Sequence, residues 1–104
     1  MSIEDAYADD EFEWRIQKAA ANWLDHGVSF AHAMKVFRDV FAVEYLDDRK
    51  DYNEERINIV GMCDGVLLHV TYTERGKKRR LISARRAVRS ERDDYYRRNA
   101  IDWD

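Results

Sequence analysis

The sequence predicts an α+β fold in which an N-terminal helical hairpin precedes a three- to four-stranded antiparallel sheet and a C-terminal helix. Apolar residues recur with helical spacing over residues 16–37, whereas residues 41–84 contain short strand-like runs joined by tight turns. Strands and helices do not alternate, so a doubly wound parallel sheet is disfavoured. We expect one domain over residues 12–100, between a flexible acidic tail at 1–11 and a short tail at 101–104.

The helical hairpin rests on two amphipathic segments. The first has apolar residues at i, i+3, i+4, i+7 and i+8, which is the spacing of one helix face: Ile16, Ala19, Ala20, Trp23 and Leu24. Gly27 suits the left-handed residue that ends a helix, and Ser29 suits the N-cap of the next one. The apolar face of that second helix is predicted to contain Phe30, Ala33, Met34 and Phe37.

The strand-like runs are FAVEY, INIVGM, VLLHVTYT and RRLISA, which begin at residues 41, 57, 66 and 79. Asp64-Gly65 predicts a hairpin turn because both residue types tolerate the positive φ that such turns need. A second turn is expected around Gly76, and Phe12–Trp14 has the composition of a short edge strand. The charged segment 88–100 is predicted to form the final helix.

Several classes of protein are disfavoured by what the sequence lacks. The single cysteine and the three widely spaced histidines show no zinc-ligand spacing, so no metal is expected. The segment GMCDG lacks the lysine and the spacing of a phosphate-binding loop, and no cofactor is expected. The N-terminus lacks the basic and apolar regions of a signal peptide, and no long apolar run occurs. These features predict a cytoplasmic protein without membrane contact.

Charge is distributed unevenly along the chain. The formal net charge is −3, but residues 1–64 carry 15 acidic and 7 basic side chains, whereas residues 75–98 carry 11 basic and 3 acidic ones. This asymmetry points to a polyanionic partner for the basic part. We interpret the acidic part as solvated surface.

The stretch HVTYTERGKKRRLISARRA, residues 69–87, concentrates the positive charge in a predicted hairpin. Five cations fall within six residues around the turn: Arg75, Lys77, Lys78, Arg79 and Arg80. Like charges held this close repel one another unless an anion lies against them, and the planar arginine fork suits a phosphate. We therefore favour anion binding over solvated surface for the hairpin, and solvated surface for the final helix.

Strand alternation assigns the side chains of this hairpin to faces. On the first strand, His69, Thr71 and Thr73 share a face. On the second strand, uninterrupted alternation predicts two sets: Arg79, Leu81, Ser83 and Arg85 on one side, and Arg80, Ile82 and Ala84 on the other. His69 is either a general acid or base or, as is more common for a lone strand histidine, a packed residue with locally satisfied nitrogens.

Four motifs in this order resemble the BrnT family of ribonuclease toxins: KAAANWLDHGVSF (18–30), EERINIVGM (54–62), VTYTERGKKRRLISARRA (70–87) and ERDDYY (91–96). The resemblance implies a RelE-like α+β fold, metal-independent RNA cleavage and growth arrest through inhibited translation. It also implies that the chain is the toxin of a type II toxin–antitoxin pair. The implied partner is a BrnA-like antitoxin with a ribbon-helix-helix domain, in a heterotetramer of two toxins and two antitoxins.

On this interpretation the hairpin clamps RNA phosphates while a ribose 2′-OH attacks the adjacent phosphorus. Three arginines are expected to hold the non-bridging oxygens: Arg56, Arg80 and Arg85. Glu74 is the candidate base, although arginines beside a carboxylate weaken it as a base. The other RNA-binding candidates are Arg75 and Arg86, which would position the strand, and Lys77, Lys78, Arg79 and Arg89.

Two departures from the family pattern affect helix starts. Arg15-Ile16 replaces an Asp-Pro pair, and residues 88–91 replace the capping box that opens the last helix. Two rival functions remain: a non-catalytic nucleic-acid-binding module, and a protein-interaction module with a basic surface for an acidic partner. Aromatic anchors for an antitoxin interface are predicted at Tyr95, Tyr96 and Trp103.

Overall fold

We describe the fold from a computed structural model that defines residues 5–48 and 54–100. The helices are α1 (Ile16–His26), α2 (Phe30–Ala33), which continues as a 3₁₀ helix (Met34–Arg38), and α3 (Arg89–Asn99). The strands are β1 (Ala6–Ala8), β2 (Phe12–Arg15), β3 (Val43–Leu46), β4 (Ile57–Cys63), β5 (Val66–Arg75) and β6 (Lys78–Arg86). Within the described ranges, no helix is long and apolar enough to cross a membrane.

The described strands form one six-stranded sheet in the order β1-β2-β6-β5-β4-β3. Neighbouring strands are antiparallel except β2 and β6, which run parallel. The α+β class is observed, but the predicted layout is wrong, because the sheet is mixed and six-stranded and strands rather than a helical hairpin come first. The N-terminal strands are held by aromatic packing that local periodicity does not reveal. Tyr7 of β1 stacks on Trp14 of β2 with ring centroids 4.2 Å apart.

The sheet includes residues that the sequence assigns to a flexible tail. Ala6–Ala8 pair with residues 13–15, and Asp9 builds the turn between β1 and β2. One Asp9 carboxylate oxygen accepts a hydrogen bond from the Tyr7 hydroxyl at 2.7 Å, and the other accepts from the Phe12 N–H at 2.7 Å. Trp103 and the rest of the predicted 101–104 tail lie outside the described residues, and the domain boundaries stay predictions.

The link between α1 and α2 forms as the sequence predicts. Gly27 has φ 65°, and its N–H donates to the Trp23 carbonyl at 2.8 Å. The Ser29 hydroxyl accepts a hydrogen bond from the His32 N–H at 3.0 Å, so it caps α2. The second helix is short, however, because after Ala33 it tightens into a 3₁₀ helix.

The predicted apolar face of α1 is wrong in its orientation. Trp23 and Leu24 are 58% and 83% exposed, whereas Asn22 is buried. The Asn22 side chain donates to the Val28 carbonyl at 2.9 Å and to the Ala84 carbonyl at 2.8 Å. Its own carbonyl accepts from the Ala84 N–H at 3.0 Å. A buried amide with three hydrogen bonds, rather than an apolar stripe, therefore sets how α1 lies on β6.

The main core lies between the sheet and α2 with its 3₁₀ extension. Its most buried members include Phe30, Ala33, Val36, Val70 and Leu81. A smaller core lies on the other side of the sheet, where Tyr95 of α3 packs with Val60, Leu67 and Ala87. The two cores place α1, α2 and the 3₁₀ helix on one side of the sheet, and α3 on the other side, against β4.

Candidate nucleic-acid interface

A β-bulge decides which side chains of β6 share a face. Thr71 lies opposite Ser83, but the next residue, Tyr72, lies opposite Leu81, so Ile82 is an extra residue in β6. Uninterrupted alternation is therefore the wrong prediction for this strand. The bulge places Arg80, Ser83 and Arg85 on the side of His69. It places Arg79, Leu81 and Ala84 on the side of the main core.

The side of the sheet that carries the first set has a floor of buried polar residues. The floor consists of Asn58, His69, Thr71 and Thr73, and we call this side of β3–β6 the polar face. The Thr71 hydroxyl donates to the Asn58 side-chain oxygen at 2.7 Å, and the Thr73 hydroxyl donates to the Glu55 carbonyl at 2.8 Å. Four buried polar side chains on adjacent strands are costly unless hydrogen-bonded, so these bonds fix the floor in one arrangement.

At the hairpin end of the polar face, β2 supplies a partner for Arg80. The Arg80 guanidinium reaches one Glu13 oxygen through Nε at 3.0 Å and through Nη2 at 2.9 Å. Both side chains are only about one-fifth exposed, because parallel pairing of β2 with β6 sets Glu13 directly beside Arg80. The ion pair fixes the plane of the guanidinium.

A groove of about 190 Å³ lies beside this ion pair. Its charged lining consists of Arg15, Lys18, Glu54, Arg56 and Arg80. Four cations and one carboxylate give the groove a positive potential, which suits a phosphate or a phosphodiester. Arg56 and Arg80, two of the three arginines expected to hold phosphate oxygens, are thus brought together.

The third such arginine, Arg85, lies further along the polar face in a compact ionic cluster. Its Nη1 and Nη2 atoms bind the two Glu91 oxygens at 2.8 and 2.9 Å, a bidentate geometry. His69, directly opposite Arg85, has its Nε2 atom 3.6 Å from Glu91 Oε2 and 3.1 Å from the Tyr45 hydroxyl. The His69 side chain is only 9% exposed, whereas Tyr45 is 43% exposed. The nearly buried imidazole is therefore hydrogen-bonded to a tyrosine that reaches the protein surface.

The protonation of this cluster follows from burial and from its charges. Burial, and then the Arg85 guanidinium, lower the pKa of His69 below its ordinary value of 6.5, and Glu91 opposes them only in part. Burial alone would raise the pKa of Glu91, but hydrogen bonds from Arg85 and from the Val88 N–H outweigh it and lower that pKa. Burial raises the pKa of Tyr45, and Glu91 adds to the effect. At neutral pH the cluster therefore holds a neutral imidazole that can accept a proton.

The Nδ1 atom of His69 is buried, and a hydrogen bond with the residue's own backbone acts to raise the pKa of His69. His69 is therefore packed, as a lone strand histidine commonly is, with its Nε2 atom against the Tyr45 hydroxyl. Because Nε2 also lies in the ionic cluster, this packing leaves it placed for proton transfer.

The hairpin tip carries candidate residues that lie away from this cluster. Glu74 and Arg75 are exposed near the tip, opposite Arg79 and Lys78 respectively, and Lys77 is exposed in the turn. Arg75 forms an ion pair with Glu54 at 3.2 Å. The Arg79 guanidinium lies over the rings of Phe37, Tyr72 and Phe12 at 5.0, 5.9 and 6.0 Å, on the side of the main core.

Two further RNA-binding candidates lie at the opposite end of β6. Arg86 is exposed on the main-core side of the sheet, where it and Cys63 line the same cavity. The Arg89 side chain in the first turn of α3 is 88% exposed and approaches Asp93 at 4.0 Å. Neither residue is brought beside the Arg56–Arg80 groove.

Sequence reasoning missed the acidic partners and the tyrosine of this site. Glu91 belongs to the ERDDYY motif and to the capping box that the sequence predicts to be lost, yet half of that box survives, because Glu91 Oε1 accepts a hydrogen bond from the Val88 N–H at 2.9 Å. Glu13 comes beside Arg80 only through a parallel pairing between strands far apart in sequence. Tyr45 is hidden in a short, exposed edge strand, and no local signal could have found it.

The fold and this face define a class of protein: a small α+β domain with a cationic, histidine-containing surface suited to a polyanion such as RNA. A family model described as the ribonuclease toxin, BrnT, of type II toxin–antitoxin systems matches residues 14–91. The chain therefore belongs to the BrnT family, as the four motifs predict. It is accordingly a toxin of the ribonuclease class, and a type II system implies an antitoxin partner. No curated protein matches the chain significantly.

Proposed function

We propose that this toxin is a metal-independent endoribonuclease that cleaves RNA by attack of a ribose 2′-OH on the adjacent phosphorus. The observation that carries the proposal is the nearly buried, neutral His69 between the Arg85–Glu91 ion pair and the exposed Tyr45. Because the substrate supplies the attacking oxygen and arginines supply positive charge, the reaction needs no metal-bound water.

In this proposal Arg56 and Arg80 bind the non-bridging oxygens of one phosphate in the groove, and Arg85, further along the polar face, binds those of the phosphate beside His69. The ion pairs with Glu13 and Glu91 hold two of these guanidinium groups in fixed orientations, so little side-chain entropy is lost when RNA binds. Fixed positive groups stabilise the charge that develops on the phosphorane. Four of the remaining cations would position the RNA chain on either side of these contacts: Arg75, Lys77, Lys78 and Arg89. The other two RNA-binding candidates, Arg79 and Arg86, lie on the main-core side of the sheet and would contact only RNA that passes round its edge.

Proton transfer is assigned to Tyr45 and His69. As the 2′-oxygen bonds to phosphorus, the Tyr45 hydroxyl takes the 2′ proton and passes its own to His69 Nε2. The bond to the 5′-oxygen breaks, leaving a 2′,3′-cyclic phosphate, and the leaving oxygen takes a proton back along the same path. Glu74, the base expected from the sequence, is exposed and follows Tyr72 on the other side of β5, away from Arg80 and Arg85. The geometry therefore favours His69.

The same proposal covers the biological setting. Cleavage of RNA by the free toxin would inhibit translation and arrest growth, and it would take place in the cytoplasm, where the RNA is. A BrnA-like antitoxin with a ribbon-helix-helix domain would neutralise the toxin in a heterotetramer of two toxins and two antitoxins. Of the proposed aromatic anchors, Tyr96 is 56% exposed, whereas Tyr95 is buried and bonded to Asp39 at 2.7 Å.

The test is cleavage of a defined single-stranded RNA by the purified toxin in EDTA. We expect cleavage by the parent protein, 2′,3′-cyclic phosphate ends, and no cleavage of a substrate with a 2′-deoxyribose at the scissile position. His69→Gln and Tyr45→Phe should lose about 10²–10⁴-fold in rate while still binding RNA, the usual contribution of a general base. Arg80→Ala should lose both binding and rate, and Glu74→Gln serves as the matched control.

Each alternative has its own outcome in this experiment. Loss of cleavage in Glu74→Gln with activity retained in His69→Gln would assign the base to Glu74. Cleavage that requires a divalent metal would contradict the 2′-OH mechanism. Salt-dependent RNA binding without cleavage would indicate a non-catalytic nucleic-acid-binding module, and the absence of both would indicate a protein-interaction module.

A further inference from the structure

Three residues of types that commonly bind metals meet on the main-core side of the sheet, opposite the polar face. His32 comes from α2, and Cys63 and Asp64 come from the end of β4 and the turn that follows it. Their ligand atoms all lie within 4.8 Å of one another. No local sequence pattern indicates this cluster, because 31 positions separate Cys63 from His32.

The distances suit a tetrahedral ion. Ligand atoms about 2.0–2.2 Å from such an ion lie about 3.3–3.6 Å from each other. His32 Nε2 is 3.2 Å from Asp64 Oδ2, which is close to that value. The Cys63 thiol already points towards α2, since it donates to the His32 carbonyl at 3.3 Å. A movement of at most about 1.2 Å brings the sulfur from within 4.8 Å of the other ligand atoms to the roughly 3.6 Å that shared coordination requires.

The cluster also has space for a fourth ligand. The same three residues line a cavity of about 360 Å³, whose other walls include Trp23, Val28 and Arg86. Three protein ligands with one open position are typical of a zinc site that holds a water or a small anion. Arg86 on the cavity wall favours an anion there.

We propose that His32, Cys63 and Asp64 bind a borderline divalent cation, Zn²⁺ in the first place, with an open fourth position towards this cavity. One nitrogen, one thiolate and one carboxylate oxygen match the ligand preferences of Zn²⁺ and exclude the all-oxygen sites of Mg²⁺ and Ca²⁺. On binding, Cys63 gives up its thiol proton to solvent and the thiolate sulfur bonds to the ion. The ion would join α2 to the β4–β5 turn.

Lys35 is the competitor for this site. Its ammonium lies 2.7 Å from the Asp64 oxygen that also faces His32. A cation that coordinates this carboxylate must displace Lys35 or share the carboxylate with it. Removal of the Lys35 charge should therefore strengthen metal binding. The metal affinity of a site that did not use Asp64 would not change.

Cobalt is the best probe, because Co²⁺ occupies zinc sites and a Co²⁺–thiolate bond gives a near-ultraviolet charge-transfer band. We expect untagged protein to develop that band and the visible bands of a four-coordinate Co²⁺ ion at one equivalent. Zn²⁺, which binds such sites more tightly, should remove both sets of bands. Cys63→Ser should abolish the near-ultraviolet band. Absence of the band in the parent protein would overturn the proposal.

The other ligands are tested by affinity. Loss of a residue that only supports a ligand weakens metal affinity about 10–100-fold. His32→Gln and Asp64→Asn remove ligands and should weaken Co²⁺ binding by more than this. Lys35→Met should strengthen it about two- to fivefold, the size of one exposed ion pair. Asparagine tolerates the positive φ of 48° at position 64, so that variant keeps the turn. Parent-like affinity in either ligand variant would show a lone thiolate instead of a site.

Two controls separate this inference from the nuclease. His26→Gln, which changes a histidine at the end of α1, should leave the cobalt spectrum unchanged. Because the cluster and the polar face lie on opposite sides of the sheet, RNA cleavage in EDTA should be the same in Cys63→Ser as in the parent protein. Loss of cobalt binding with cleavage retained, or the reverse, therefore identifies which of the two proposals fails.

Discussion

At the scale of single residues, the proposed mechanism depends on an imidazole whose charge state is set by burial and by two opposed neighbours. Burial and Arg85 disfavour the imidazolium form of His69, while Glu91 favours it. Arg85 and Glu91 also bind each other, so both influences are held at fixed distances. A residue that is neutral at neutral pH and hydrogen-bonded to the partly exposed Tyr45 can take a proton without first losing one.

The titration of His69 tests this account directly. Glu91→Gln removes an influence that raises the pKa of His69, so the pKa should fall further. Arg85→Gln removes one that lowers it, so the pKa should rise towards the ordinary value. Since the neutral imidazole is the proposed base, activity is lost as pH falls through this pKa. The acidic limb of the rate profile should therefore move to lower pH in Glu91→Gln and to higher pH in Arg85→Gln.

NMR titration of the His69 ring protons gives the same shifts without depending on catalysis. Arg98→Gln, which removes an exposed guanidinium on α3 bound to Asp94, is the matched control and should leave the ring titration unchanged. If the two cluster variants moved the pKa in the same direction, the electrostatic account of the cluster would be wrong.

At the scale of elements, α1 depends on one buried amide. Asn22→Leu removes three hydrogen bonds and leaves the Ala84 N–H and two carbonyls unpaired in the interior. Unpaired buried groups cost about 1–3 kcal/mol each when solvent cannot reach them, and relaxation recovers part of this. We expect the free energy of unfolding to fall by about 2–4 kcal/mol in urea titrations.

The control for that variant lies on the same helix. Gln17→Leu makes a similar change of polarity and size at an exposed position of α1 and should alter stability by no more than about 0.5 kcal/mol. Equal effects of the two substitutions would mean that α1 is held by its general polarity rather than by the Asn22 bonds.

The close contact between β4 and the 3₁₀ helix should not tolerate a side chain at Gly61. A Cβ atom at Gly61 would lie 3.0 Å from the Val36 carbonyl oxygen and 3.2 Å from the Ala42 Cβ. The carbonyl is backbone of the 3₁₀ helix, and a Cβ atom has no rotamer by which to move aside, so Gly61→Ala should push the 3₁₀ helix from the sheet and cost about 1–3 kcal/mol. Thermal unfolding measures this cost, and a variant as stable as the parent would show that the helix shifts freely.

The sequence predicted the elements whose signals are local and missed those set by distant partners. Gly27, Ser29 and the Asp64-Gly65 turn behave as expected, because their roles depend on a few neighbouring residues. The pairing of β2 with β6 joins segments more than sixty residues apart and has no local signature. The extra residue at Ile82 separates Arg79 and Leu81 from Ser83 and Arg85, which strict alternation places on one face. The sequence therefore indicates the arginines proposed to bind phosphate, whose roles stay predictions, but it does not indicate Glu91 or Tyr45.

At the scale of the whole molecule, positive side chains are concentrated in one region although the net charge is negative. The net charge is −3, yet the groove beside β6 is lined by four cations and a single carboxylate. Ion pairs hold the arginines of the polar face in place, while acidic residues elsewhere keep the total negative. RNA binding should therefore depend on a few located contacts and not on the overall charge, which would repel a polyanion.

Salt dependence distinguishes these two modes of binding. Each phosphate contact made to single-stranded RNA adds about 0.7 to the slope of log K against log salt concentration. Arg80→Ala should therefore reduce the slope by about 0.7 and weaken binding to all RNA sequences alike, because phosphate contacts carry no sequence information. Arg97→Ala removes the same charge from an exposed residue of α3 that is paired with Asp94, and it should leave the slope unchanged. Equal reductions in the two variants would mean that RNA responds to diffuse charge, and the assignment of the groove as a phosphate site would then be wrong.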